Sequence, residues 1–318
     1  MPINTLISSV GAKIPLLDVL RDSYRRLNLT GKIIGGDCNP QAIGRYCCDD
    51  FLVLPPISAD SSFQEIIPAI KQAQVNLIIP TRDGELLFYA RHRGQFEQEG
   101  IQVMIANPEP VSTTLDKLQF ARTLAEWGFP VIPTAPRIEE LPADTSSFVV
   151  KERFGAGSRQ TFLNLTSDEA TSACRNLTAP IFQPFVTGKE YSVDLYIDGN
   201  GQPTGAICRE RVLVENGESR ITRSIHLPDI EQLCLTTATR LGLRGHALIQ
   251  VIIDQHHQPH LVECNARFGG ASSLSYAMGL RSFEWFIGAA FFQTTPQFKR
   301  VATEKTLIRH HHDLVIDQ

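Results

Sequence analysis

Residues 263–270, in the C-terminal part of the chain, read Glu-Cys-Asn-Ala-Arg-Phe-Gly-Gly. Side chains two apart on a strand face the same side, so Glu263 and Asn265 share one face. Gln250 lies thirteen residues earlier, on a predicted adjacent strand. Three converging oxygen donors suit Mg²⁺, which binds oxygen ligands beside phosphates. Arg267 can hold a phosphate or carboxylate in bidentate geometry. The competing interpretation is an exposed strand edge, because an acid and an amide facing a core together would be costly.

A second segment, residues 150–159, reads Val-Lys-Glu-Arg-Phe-Gly-Ala-Gly-Ser-Arg. Lys151 stands at the end of a predicted strand and precedes a loop that contains Gly155, Gly157 and Ser158. Glycines let backbone N–H groups close over an anion, and the lysine adds a positive charge. Taken alone, the segment is better read as a surface hairpin with an incidental lysine. Its spacing matches neither a Walker loop nor a dinucleotide fingerprint.

Two further segments carry weaker signals. Residues 183–191 run from a strand through Gly188 to an acid, Glu190, and such a segment can offer backbone groups to an adenine edge and a carboxylate to ribose hydroxyls. Its alternative is a plain strand, turn and strand. Lys117 follows Asp116 at the start of a predicted helix. It could reach nucleotide phosphates, although a lysine in a first helical turn is usually solvated.

Together, and in this order along the chain, the four segments resemble the ATP-grasp superfamily over roughly residues 110–295. The resemblance implies a two-lobed ATP-grasp fold with an active site between a small lid and a larger C-terminal domain. It implies that Lys117 and Lys151, with the glycine loop, contact the ATP phosphates, and that Gln183 meets the adenine amino group. Phe185 and Val186 would supply hinge backbone, and Glu190 would bind the ribose.

The resemblance also assigns the remaining site residues. Gln250, Glu263 and Asn265 would hold Mg²⁺, with Mn²⁺ as the alternative metal, and Arg267 would steady the transferred phosphoryl group. Lys151 and Arg267 are thus the predicted catalytic residues. Substrate-facing basic residues often sit in the family where this chain has Arg209, Arg211 and Arg220.

The N-terminal part predicts a different unit. Apolar strands near residues 4–10, 32–35, 75–79 and 103–106 alternate with helical segments, which indicates a parallel sheet in an α/β domain. Residues 79–86, Ile-Pro-Thr-Arg-Asp-Gly-Glu-Leu, resemble the domain that precedes ATP-grasp in carbamoyl-phosphate-synthase-like and PylC-like ligases. We therefore expect a pre-ATP-grasp domain over residues 1–110, a lid lobe over 111–187 and a C-terminal lobe with the metal site over 188–318.

Composition excludes several classes of protein. The net charge of −4 lacks the basic footprint of a nucleic-acid binder. No apolar run approaches the length of a membrane span, and the first ten residues read as a strand instead of a signal peptide. The seven cysteines form no CxxC pair, which favours a reducing cytoplasm over a disulfide framework or a zinc site. The histidines within residues 254–260 are interpreted as an exposed polar hairpin instead of a metal cluster.

The sequence thus predicts an ATP-dependent, ADP-forming carboxylate–amine ligase that works through an acyl phosphate. Its partners would be a small carboxylate and an amine, and a homodimer is left open. The alternatives are a phosphotransferase that makes carbamoyl phosphate or a related anhydride, and an ATP-binding regulator without turnover. The substrates and the pathway stay open at this stage.

Overall fold

The computed structural model describes residues 2–58, 60–155, 160–215, 217–310 and 313–316. Its strands form three sheets, of five, three and six members, in the order in which the chain first enters them. Within the described ranges, no helix is both long enough and apolar enough to cross a membrane.

The first sheet is parallel throughout, as predicted. Its strands are β1 (Thr5–Ser8), β2 (Ile33–Asp37), β3 (Asp50–Val53), β4 (Leu77–Pro80) and β5 (Gln102–Val103), in the order β3-β2-β1-β4-β5. The connecting helices are α1 (Ile14–Arg26), α2 (Phe63–Gln72) and α3 (Asp83–Gln98). Strands β1 and β4 are entirely buried because helices cover both faces of the sheet.

Helices α4 (Pro108–Leu115) and α5 (Lys117–Glu126) lead from this sheet into the lid. The lid sheet is antiparallel, in the order β7-β6-β8, and consists of β6 (Phe148–Glu152), β7 (Phe162–Leu165) and β8 (Pro180–Pro184). Helix α6 (Ser167–Ala173) and a short 3-10 turn at Cys174–Asn176 connect β7 to β8, and another 3-10 turn, at Ile138–Glu140, precedes β6. A small core on one face of the lid includes Phe148, Val150, Ala170 and Phe182.

The third sheet is antiparallel, in the order β13-β12-β9-β10-β11-β14. Its strands are β9 (Gly188–Ile197), β10 (Pro203–Glu215), β11 (Glu218–Ile225), β12 (Gly245–Asp254), β13 (Pro259–Asn265) and β14 (Thr306–Ile308). Helix α7 (Pro228–Arg240) lies between β11 and β12, and α8 (Ser272–Ala277) and α9 (Ser282–Phe292) follow β13. The predicted α/β class with an α+β lid is therefore confirmed.

The N-terminal sheet and the large sheet share one apolar core. Leu6 and Ile34 of the first sheet, Phe120 of α5, and Val193 and Ile249 of the third sheet belong to a single buried cluster. A second cluster joins α1 to Phe268 and α9. This packing brings the carboxyl edge of the parallel sheet close to the end of β13, where the predicted metal ligands stand.

Candidate active site

The lid presents two of the predicted nucleotide residues on one face. In the β6–β8 ladder Val149 pairs with Gln183 and Lys151 pairs with Ile181, so Lys151 and Gln183 lie on the same side of the lid sheet. The opposite side carries the Phe148 and Val150 core. Alternation along β6 therefore packs one set of side chains inside the lid and leaves Lys151 on the face that carries Gln183.

Lys151 is buried, with 7% of its surface exposed. No described residue accepts a hydrogen bond from its Nζ or forms an ion pair with it. Burial lowers its pKa from 10.5 to about 8; the carboxylates of Glu263 and Glu190 oppose this, and the ammonium of Lys117 adds to it. A buried cation without a bonded anion is costly, and such groups cluster at functional sites. The charged groups that act on Lys151 come from three elements: Glu263 on β13, Glu190 on β9 and Lys117 on α5.

Lys117 lies at the first position of α5, and its neighbour Asp116 caps the helix by accepting from the N–H groups of Leu118 and Gln119. The Nζ of Lys117 donates to the carbonyl of Gly155 at 2.7 Å. Arg153 holds the same loop in place through two hydrogen bonds to Asp116, of 2.7 and 2.5 Å. These hydrogen bonds connect the start of α5 to the lid loop, and Lys117 and Lys151 both lie near this connection.

The predicted metal ligands lie together on the large sheet. Gln250 pairs directly with Glu263 across β12 and β13, and the Asn265 amide lies 3.5 Å from Glu263 Oε1. Cys264, between the two ligands, is buried on the other face, as its position predicts, and burial raises its thiol pKa.

The lid loop, the helices α3, α4 and α5 and the large sheet line one open cleft. Its lining includes the side chains of Asp83, Lys117, Glu263 and Asn265 and the lid-loop residue Gly155. Four of these were predicted from sequence. Asp83, from the N-terminal domain, was not assigned a role, although it lies within the Thr-Arg-Asp-Gly-Glu segment that carries the family resemblance.

The donor set fits a hard divalent cation. Gln250, Glu263 and Asn265 offer one carboxylate and two amide oxygens, and oxygen ligands are what Mg²⁺ takes. Among the residues that the structure describes, no group of three or more His, Cys, Asp and Glu side chains could hold a metal. One protein carboxylate is enough where phosphates supply further oxygens, which is how Mg²⁺ is usually held in phosphoryl-transfer sites.

The hinge between lid and large sheet is tightly built. The Phe185 N–H donates to the Ser147 carbonyl at 2.8 Å, whereas the Val186 N–H has no acceptor among the described residues. A Cβ at Gly188 would lie 2.3 Å from the Ile253 carbonyl oxygen, so only glycine permits this approach of two strands. Gln183 is buried, and its Nε2 donates to Thr134 at 2.7 Å, which leaves its amide oxygen as an acceptor.

Glu190 stands on β9 just beyond this hinge. Its carboxylate accepts a hydrogen bond from Arg211, whose guanidinium also bonds Ser219 and the Gly217 carbonyl. Arg211 is therefore occupied, and in this structure it orients Glu190 instead of facing an open cleft. Arg220, on β11, pairs with Glu215 at 3.0 Å. Substrate roles for Arg211 and Arg220 stay predictions.

Arg209 corrects the prediction of an open basic set. It lies on the same sheet face as Gln250 and Ser192, but only 2% of its surface is exposed, and its Nε bonds Asp194 at 2.5 Å. The Asp194 carboxylate also accepts from His246, Ser272 and Ser275. Because α8 covers this buried network, Arg209 does not line the cleft. Its positive charge is instead neutralised by the carboxylate of Asp194.

Arg267 is in the predicted place but has an unpredicted partner. Its Nε and Nη2 donate to the two oxygens of Asp83, at 2.6 and 2.7 Å. The bidentate geometry expected for a phosphate or carboxylate ligand is thus formed with a carboxylate of the protein. Burial lowers the pKa of the Arg267 guanidinium, but the neighbouring acids, Asp83 foremost, together outweigh burial and raise that pKa.

Two predicted residues, Gly157 and Ser158, lie outside the described residues. The histidine-rich hairpin is a turn, as predicted: Asp254 pairs with His260 at 2.9 Å and also accepts from the N–H groups of His256 and Gln258. His256 and His257 are exposed.

Comparison with known families agrees with this geometry. The profile of the ATP-grasp domain matches residues 114–271, and that of the PylC-like N-terminal domain matches residues 5–104. The chain therefore belongs to the ATP-grasp superfamily. No curated protein sequence matches it significantly.

Solved structures share the fold at low sequence identity. A complex of biotin carboxylase from Campylobacter jejuni with beta-gamma-ATP superposes with a TM-score of 0.70 at 15% identity, covering 90% of this chain and 70% of that one. N5-carboxyaminoimidazole synthetase from Staphylococcus aureus complexed with ADP gives 0.71 at 16% identity, covering 93% and 80%. The biotin carboxylase domain of 2-oxoglutarate carboxylase from Hydrogenobacter thermophilus, with MgADP and bicarbonate, gives 0.75 at 13%, covering 96% and 74%.

Proposed function

We propose that this protein is an ATP- and Mg²⁺-dependent ligase that activates a small carboxylate as an acyl phosphate for attack by an amine, releasing ADP and phosphate. The observation that carries the proposal is Lys151, a buried ammonium near Glu263 and Lys117 that has no bonded anion among the described residues. Burying an unpaired charge is costly, and a bound anion would offset that cost. Triphosphate is the anion that the ATP-grasp fold leads us to expect.

Each lobe contributes to holding the nucleotide. Lys117 and Lys151 neutralise the phosphates, together with N–H groups of the lid loop from Gly155 onward. Gln183 offers its amide oxygen to the adenine amino group, and the Val186 N–H offers a donor to the ring. The carboxylate oxygen of Glu190 that Arg211 leaves free accepts from the ribose hydroxyls.

Gln250, Glu263 and Asn265 would hold Mg²⁺, with Mn²⁺ as the alternative. The metal, when bound, offsets charge on the β- and γ-phosphates. Two anions, a carboxylate and a triphosphate, must approach each other, so the two lysines and Arg267 reduce their repulsion. Positioning then carries most of the rate, and no covalent enzyme nucleophile is required.

Mg-ATP should stabilise the protein against unfolding by about 2–3 kcal/mol at a nucleotide concentration a hundredfold above its dissociation constant. The reason is that the nucleotide binds only where lid and large sheet are folded together. A melting series with Mg-ATP, Mg-GTP and Mg²⁺ alone measures the effect. GTP should give less, because guanine presents a carbonyl to the Gln183 oxygen. Absence of any shift at millimolar Mg-ATP contradicts the proposal.

Hydroxylamine should trap the acyl phosphate as a hydroxamate even though the natural amine is unidentified. Pooled amino acids and other carboxylic acids are incubated with protein, ATP, Mg²⁺ and hydroxylamine, and the hydroxamate and ADP are measured in parallel. We expect ADP and hydroxamate in equal amounts from the pool that contains the substrate. Formation of AMP and pyrophosphate would replace the acyl phosphate by an adenylate.

The same experiment separates the two alternatives. ADP release without hydroxamate, together with carbamoyl phosphate made from bicarbonate and ammonia, would identify a phosphotransferase. Tight ATP binding without turnover would identify a regulator. The domain boundaries near residues 110 and 187, and assembly as a homodimer, are proposed on the same family grounds.

A further inference from the structure

We propose that Asp83, in the N-terminal domain, is a positioning residue that orients Arg267 for the anion transferred in the ATP-grasp site. This inference rests on the proposed function. The residue lies in the parallel-sheet domain, 184 positions from Arg267 along the chain, yet it lines the same cleft as Glu263 and Asn265.

Donor counting on Arg267 shows how completely the guanidinium is held. A guanidinium has five N–H groups in a fixed fork. Nε and Nη2 donate to Asp83, Nη2 also donates to Asn265 Oδ1 at 3.2 Å, and Nη1 donates to the Phe268 carbonyl at 3.0 Å. One N–H, on Nη1, is left without an acceptor among the described residues. Arg267 as folded can thus offer a ligand one hydrogen bond and its charge, and not a second bidentate fork.

The position of Asp83 is itself fixed, because Asp83 is the first residue of α3 and lies close to the buried Glu85. Two residues later, Glu85 is fully buried, and its carboxylate accepts from the hydroxyls of Ser8 and Ser9 and from the N–H groups of Thr81 and Arg82. These contacts join the ends of β1 and β4, the point of a parallel sheet where connections diverge and ligands commonly bind. Here the protein fills that point with its own Glu85, and Asp83 projects beyond it toward Arg267.

The contact continues into the predicted metal site. Arg267 donates to Asn265, and the Asn265 amide approaches Glu263. A carboxylate of the first domain therefore fixes the plane of Arg267, and Arg267 in turn fixes the amide of a metal ligand. Outer partners of this kind set the orientation of the groups that touch the ligand. The purely structural alternative is an interdomain ion pair that holds the two domains together and has no effect on ligand binding.

Binding measurements with two probes separate these roles. Calorimetry measures the affinity for MgADP alone and then for inorganic phosphate added to the MgADP complex. Asp83→Asn should weaken phosphate binding by at least about tenfold, because the guanidinium loses the carboxylate that fixes its plane. MgADP binding should weaken by a smaller factor, because only one of the three predicted metal ligands, Asn265, contacts Arg267. Glu97→Gln is the matched control: it removes a carboxylate from the same helix, where Glu97 pairs with Arg93 on the surface.

Asp83→Glu keeps the charge but lengthens the side chain, so it should fold like the wild type and bind phosphate with an intermediate affinity. If Asp83→Asn does not fold, the phosphate affinity of Asp83→Glu alone tests the proposed role of Asp83. Phosphate affinity that is unchanged in both variants, or a wild type that binds MgADP but no phosphate, overturns the proposed role of Asp83. Failure of the wild type to bind MgADP overturns the proposed function instead.

Discussion

Glu263→Gln should lower nucleotide turnover at least about a hundredfold while the protein stays folded. Glu263 is the only carboxylate among the three predicted metal ligands, and it also faces the buried Lys151 ammonium. Replacing it with the amide of equal size removes the negative charge and keeps the shape. Turnover should recover in part at high Mg²⁺ concentration, because the loss lies in metal affinity and in charge balance.

The matched control is Glu126→Gln, which removes an exposed carboxylate at the end of α5. Initial rates of ADP formation over a Mg²⁺ titration measure both variants, and far-ultraviolet dichroism checks the fold. The double variant Glu263→Gln/Asn265→Ala should be far from additive, because both ligands act on one ion. Near-normal turnover in Glu263→Gln at limiting Mg²⁺ would show that the metal assignment is wrong.

Lys151→Met should stabilise the ligand-free protein near pH 7 and weaken ATP binding about ten- to a hundredfold. Burial lowers the pKa of Lys151 from 10.5 to about 8. At neutral pH the folded state therefore contains a buried positive charge that reduces its stability. The difference corresponds to about 3 kcal/mol as an upper estimate. Methionine has a similar length and carries no charge.

The stability difference between Lys151→Met and the wild type should depend on pH. Between pH 8 and 10.5 the unfolded lysine keeps its proton while the folded one releases it, so wild-type stability should rise with pH in this window. The advantage of Lys151→Met is then largest below pH 8 and disappears toward pH 10.5. Denaturant unfolding at several pH values measures it, with the exposed Lys299→Met as control. A variant that is less stable than the wild type at pH 7 would contradict the account of Lys151.

Local pattern was enough to predict much of this molecule. The buried apolar strands β1, β2 and β4 are continuous runs typical of a parallel sheet, and the two-residue spacing of Glu263 and Asn265 placed both on one strand face. Strands β3 and β11 escaped prediction because they are edge or near-edge strands in which exposed and charged residues interrupt the apolar pattern.

Long-range pairing could not be predicted in the same way. The spacing around Arg267 indicates an anion-binding arginine, but it carries no information that Asp83 occupies it. Arg209 looks like a cleft residue by its position on β10, and only the packing of α8 over Asp194 shows that it is buried. Both cases concern charges whose partner comes from another part of the chain.

A crystal structure with Mg²⁺ and the imido analogue of ATP, which cannot transfer its γ-phosphoryl group, would locate the nucleotide and the metal directly. We predict the triphosphate between the lid and the large sheet, with Lys151 Nζ in hydrogen-bond contact with it. The metal should lie on the carboxylate of Glu263, and the adenine should lie beside Gln183. Nucleotide bound at any other place, or a metal that does not touch Glu263, would contradict the proposed active site.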